Sequence, residues 1–147
     1  MTLKFSVNVS PELLSGTNWL AKKVENPKDL LKDIAEVIVE DIKNRIISTK
    51  KDINDVPFKA WAPSTRKARE RDGSAALGIL HNTGALAMSI NYKLTGRNFL
   101  HVGSTSPYAP FLNNGTPKMP AREFMGVSQR AREGMNEVLA QYFGDHK

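Results

Sequence analysis

The residues that could do chemistry are few and scattered. His81, His101 and His146 are the only histidines, and the chain has no cysteine. None of the three sits in an HExxH or other zinc spacing, and no thiolate is there to complete a site. A hydroxyl–imidazole–acid device would have to gather Ser104, His101 and a remote carboxylate. No GxSxG spacing marks Ser104 as a nucleophile, so solvated or hydrogen-bonded roles are the default for all of these. The glycines form neither GxxxxGK[ST] nor GxGxxG. Gly84, Gly96, Gly103, Gly115 and Gly126 are instead spaced like turn and cap markers. No catalytic residue, no cofactor and no metal ligand is expected.

The densest charge is Arg66-Lys67-Ala68-Arg69-Glu70-Arg71. Arg66, Lys67, Arg69 and Arg71 on one short helix could meet phosphates or an acidic partner. The competing reading is a solvated helix face. No helix-turn-helix, RNP or zinc-finger pattern accompanies the run, which argues against sequence-specific recognition. Net charge is +6, and all of the excess lies beyond residue 55: nine basic and nine acidic residues precede it, twelve and six follow. That imbalance allows an anionic neighbour but also suits an ordinary soluble surface.

These residues must be positioned by a chain of 147 residues, 40% apolar and 24% charged, which is enough for one domain with a modest core. No run is long enough to predict a membrane helix, and with no apolar run behind a basic start in residues 1–10, secretion through a signal peptide is not expected. The lack of cysteine suits a reducing compartment. Leu3 to Val9 alternates as a half-buried strand, ended by Pro11. Residues 12–25 read as a short helix or a tied-down loop, with Trp19 as a buried anchor. Asn26 can cap a helix and Pro27 suits its first position. Over 27–48, Leu30, Ile34, Ile38, Ile42 and Ile46 form a spine at spacing four, which Leu31, Ala35, Val37 and Val39 broaden. A stripe so wide suits a sheet on one side and a neighbouring subunit on another.

The connection 50–63 carries Phe58 and Trp61, whose rings are expected to pin it to the body of the domain. Ser64 or Thr65 can cap a helix over 66–71, and Thr83 another over 84–88. Residues 89–94 and 98–102 read as a hairpin around Thr95-Gly96-Arg97, with the facing of Phe99, Leu100 and Val102 unresolved. Pro107 to Leu112 is one apolar turn stopped at Asn113-Asn114-Gly115. A last helix, from 127 or 128 to 142, presents Val127, Ala131, Met135, Val138, Leu139 and Tyr142. Gly134 inside it marks a close helix approach. Residues 144–147 read as a frayed tail. The expected architecture is α+β: a small, mostly antiparallel sheet of three or four strands packed by the long helix of the N-terminal half, with the C-terminal helix alongside.

Several short motifs follow one another in a telling order. Trp61-Ala62-Pro63-Ser64-Thr65 precedes the basic helix. Leu80, Thr83-Gly84, Leu86 and Ser89-Ile90 come next, then Val102-Gly103-Ser104, Tyr108-Ala109 and Asn114-Gly115. Pro120-Ala121-Arg122, Phe124, Gly126 and Ser128 close the series. In this order they resemble the phage virion morphogenesis family, the tail-completion and neck proteins of tailed bacteriophages and prophages. The resemblance covers about residues 28–143 as a single domain. It leaves residues 11–25 as an insertion.

The resemblance implies a structural role without turnover. Such proteins form homo-oligomeric rings, commonly sixfold, at the head–tail junction or the head-proximal end of the tail. They dock on a tail tube or tail terminator protein and on a head-connector protein. The implied setting is the virion, assembled in the bacterial cytoplasm, with no membrane partner. Tyr108, Phe111, Leu112, Met119 and Phe124 are then expected to touch neighbouring subunits, and Arg122 to pair with an acid within or across subunits. Arg66, Lys67, Arg69 and Arg71 are expected to face passing DNA or an acidic partner. The alternative is a small basic protein that binds nucleic acid non-specifically.

Overall fold

In chain order the elements are β1 (Lys4–Asn8), α1 (Lys28–Asn44), α2 (Pro63–Arg71), α3 (Ala85–Met88), β2 (Ile90–Thr95), β3 (Phe99–Ser104), α4 (Ala109–Asn114) and α5 (Gln129–Gly144). They are those of a computed structural model, which describes residues 4–8 and 27–144. The expectations for Trp19, Asn26, residues 11–25 and the tail after 144 lie outside those residues.

α1 exists because its apolar positions recur every three to four residues. Leu30, Leu31, Ile34, Ala35, Ile38 and Ile42 are all buried, and the spine continues through Ile46. Pro27 stands one position earlier than expected. Its carbonyl accepts the first helical bond, from Leu31 N–H at 2.8 Å, so it bounds the helix rather than opening it. After Asn44 the chain widens into a π turn over Arg45–Thr49, closed by Lys50 at φ 56°.

The strands form one antiparallel sheet in the order β1-β3-β2. β3 is central, which settles its facing. Leu100, Val102 and Ser104 are buried opposite Leu94, Tyr92 and Ile90, while Phe99 projects from the other face. α1 covers the buried face, and the helix pair α1–α5 completes the α+β arrangement.

α5 contributes Ala131, fully covered, and Met135, Val138, Leu139 and Tyr142, partly covered by the core. The close approach expected at Gly134 is present. A Cβ there would lie 2.8 Å from Val37 Cγ1. A valine on a helix has one favoured rotamer, so it has little room to yield.

Two caps differ from expectation. α2 begins at Pro63 rather than after Ser64 or Thr65, with Ala62 C=O accepting from Arg66 N–H at 3.0 Å. Proline is favoured there because its missing N–H would have no helical partner. α3 begins after Gly84, which turns the chain at φ 80°, and the Thr83 hydroxyl accepts from Ala85 N–H at 3.3 Å.

Candidate partner-binding groove

An open groove of about 660 Å³ lies beside the motif-bearing segments. Trp61 and the first turns of α2 form one wall. Residues 79–86 form the second, and α4 with residues 118–122 the third. Ile79, Leu80, Leu86, Leu112 and Met119 make it largely apolar. Among the described residues, Arg69, Lys118 and Arg122 are the charged ones that line it, and no carboxylate does.

Each wall is held by backbone geometry that the sequence makes necessary. α4 ends at Gly115, where φ is 77° and the N–H bonds back to Phe111 C=O at 2.9 Å. Thr116 and Met119 then exchange backbone bonds of 2.8 and 3.0 Å, closing a turn that brings residue 121 against Gly115. A Cβ on Gly115 would sit 2.6 Å from Ala121 N and 2.9 Å from Met119 C=O. Neither backbone atom can rotate away. Gly115→Ala is therefore expected to cost about 1–3 kcal/mol, from overpacking and left-handed strain together, and to displace Met119 from the groove. Thermal unfolding measures the first effect, and accessibility of Met119 to oxidation the second.

Arg122 is buried in the third wall. Its Nε donates to Lys59 C=O at 2.9 Å and its Nη2 to Ala60 C=O at 3.0 Å. Burial pushes its guanidinium below the ordinary arginine range. Within the chain these two carbonyls stand where an acid was expected. The guanidinium thus fixes the connection that delivers Trp61, and so links two walls of the groove. Its backbone N–H also donates to Leu112 C=O at 3.0 Å.

Phe124 requires a correction. It is fully buried in the core, so it is not a surface contact. The Gly115 turn folds the chain back, and Asn113 Oδ1 accepts from Met125 N–H at 2.9 Å, drawing this stretch inward. The other apolar candidates stay accessible. Tyr108 and Phe111 are exposed, Phe111 by 58%, while Leu112 and Met119 are half-buried. Tyr108, Leu112, Met119 and Arg122 come together in the groove, and Phe111 lies on the same short helix.

The basic run is partly engaged within the chain. Arg66 Nε meets Glu70 at 3.0 Å on the exposed face of α2. The Arg69 guanidinium lies 5.7 Å from the centre of the Trp61 ring, within cation–π range. Lys67 and Arg71 are exposed. Of the two rings expected to pin the 50–63 connection, Phe58 does so from the core, whereas Trp61 is half-buried and lines the groove.

Ser104 has a structural task. Its hydroxyl is buried, 2.7 Å from the Ser89 hydroxyl, and accepts from Ser106 N–H at 3.1 Å. Ser89 in turn donates to Leu86 C=O at 2.6 Å, so the serines join β3 to the end of α3. Ser104 and His101 do line one open pocket of about 370 Å³, but the Ser104 hydroxyl is committed to Ser89 and Ser106, and among the described residues no carboxylate lines that pocket.

A second polar assembly joins α1 to the start of α5. Arg45 Nη2 donates to Asp41 Oδ2 at 2.5 Å and to Gly126 C=O at 2.8 Å. The Ser128 hydroxyl donates to Asp41 Oδ2 at 2.7 Å and accepts from Ala131 N–H at 3.1 Å, capping α5. The i,i+4 spacing of Asp41 and Arg45 is visible in the sequence, but Ser128 and Gly126 become their neighbours only in the fold.

A protein-family model described as the phage virion morphogenesis family matches residues 11–144. The match takes in residues 11–25, which the motifs alone leave unaligned. No curated protein and no solved structure matches the chain.

Proposed function

This chain belongs to the phage virion morphogenesis family, and from that premise we propose that it is a tail-completion or neck component: a homo-oligomeric ring, sixfold by family resemblance, at the head–tail junction or the head-proximal end of the tail. In this reading one face of the ring docks on the tail tube or tail terminator protein and the other on the head connector. The observation that carries it is the groove, a largely apolar surface with no carboxylate among its described residues, flanked by exposed Tyr108 and Phe111. Exposed apolar patches on small domains mark contact with other proteins. Subunits that meet head to tail close into rings when the rotation permits.

The test uses particles from a host carrying the gene with an epitope tag. Mass spectrometry of purified virions should find the protein in a small fixed copy number, and deletion should leave separate heads and tails. Infectious particles lacking the protein would sink the proposal. A contact between α2 and passing DNA is carried by exposed Lys67 and Arg71. Such a contact is non-specific and weakens steeply with salt. Titration of the isolated protein with duplex DNA at several ionic strengths measures it.

A further inference from the structure

Among the described residues, all but one of the exposed large apolar side chains fall into two groups. Leu77, Met88, Tyr108 and Phe111 lie on or next to the segments that wall the groove. Ile47, in the π turn, and Val56, at the end of the tight turn that starts at Asp52, belong to the connection leaving α1. Phe99, in the outer face of β3, belongs to neither.

That turn is pre-shaped. Asp52 Oδ1 accepts from Asn54 N–H at 2.8 Å and from Val56 N–H at 3.0 Å. Asp52 N–H donates to Val56 C=O at 2.8 Å, and Asp55 sits at φ 65°. Ile53 N–H donates to Glu123 C=O at 3.1 Å, anchoring the turn to the body. The result is a knob that presents Val56, 54% exposed, beside the Asp55 carboxylate. Little ordering entropy remains to be lost when such a knob docks.

We propose that the Asp52–Val56 turn of one copy seats in the Trp61–Leu80–Tyr108–Met119 groove of the next. The inference rests on the ring reading above and names the contact that would build it. Charge favours the pairing: among the described residues the groove holds Arg69 and Lys118 and no carboxylate, and the knob brings Asp55. Asp55 is now 3.1 Å from Lys51 in an exposed pair, which is weak enough to exchange partners. Knob and groove share no residue, so one copy can offer both at once. A contact of that kind is heterologous and repeats from subunit to subunit.

The cysteine-free sequence makes the test direct. Val56→Cys and Tyr108→Cys are prepared separately with different tags, mixed, and oxidised, both as purified protein and within particles. The mixture should form the mixed disulfide about tenfold more than either variant alone forms its own dimer, as a specific contact worth one decade in affinity would. Asp55→Lys should lower that yield, and adding Lys118→Glu to the groove-bearing partner should restore it. Like-with-like disulfides in excess would show a two-fold contact and overturn the proposal. Oligomers by mass photometry without the mixed disulfide would overturn it while leaving the ring intact. Monomers in solution and no cross-link in particles would remove both. Protection of the Tyr108→Cys thiol by duplex DNA rather than by a second copy would assign the groove to nucleic acid and overturn it as well.

Discussion

Asp41→Ala is expected to lower stability by about 3–5 kcal/mol, the cost of leaving a buried partner charge uncompensated. Arg45 is 4% exposed and has few alternatives. Its Nε and Nη1 are buried with no partner among the described residues, and Nη2 would keep only Gly126 C=O. Burial already drives the Arg45 guanidinium below the ordinary arginine range, and Asp41 is the main force in the other direction. The same substitution strips the Ser128 hydroxyl of its acceptor, although its cap on Ala131 N–H survives. Replacing both charges, as Asp41→Leu with Arg45→Met, should recover a large part of the loss, because no buried charge is then left over. Denaturant unfolding of the two single variants and the pair gives the coupling energy directly. A coupling near zero would mean that the two side chains do not act as a unit.

How much of this was readable beforehand depends on whether a feature is local. The α1 spine follows from spacing alone, and every member of Leu30, Ile34, Ile38, Ile42 and Ile46 is buried. Gly134 was readable for the same reason: a residue without a side chain, inside an apolar helical pattern, signals a neighbour at close range. The facing of β3 was not, because Phe99 and Leu100 are adjacent and both large. The register with β2 on one side and β1 on the other decides it. The groove was beyond reach as a unit, since Trp61, Leu80, Tyr108 and Met119 come from four separate segments. Arg122 illustrates a different limit. A guanidinium is satisfied as well by carbonyls as by a carboxylate, and sequence does not say which backbone will pass within reach. Tyr108, Leu112 and Met119 were legible as accessible apolar groups in a Gly- and Pro-rich loop, but the same reasoning misplaced Phe124. Composition cannot reveal that the Gly115 turn sends one of these rings inward.

Phe111 and Phe124 therefore provide the sharpest separation of fold from assembly. They lie in the same stretch, are the same residue type, and differ in exposure from 58% to nothing. Phe124→Ala should cost about 3–5 kcal/mol through lost transfer energy and the cavity left behind. A loss of that size is a large fraction of a small domain's total stability. Any defect in assembly would then follow from a poorly folded chain, with soluble yield falling in parallel. Phe111→Ala removes a ring from solvent rather than from the core, and its effect on folding should stay within about 0.5 kcal/mol. If the α4 face touches a neighbouring protein, that variant folds normally and yet fails to complete particles, because a large aromatic at a protein contact carries more of its energy than most neighbours do. The measurement pairs thermal unfolding with complementation of a deletion by each variant. A Phe111→Ala protein that unfolds like the parent and restores full infectivity would remove this face from any essential contact. A Phe124→Ala protein with parental stability would contradict the burial on which the corrected assignment stands.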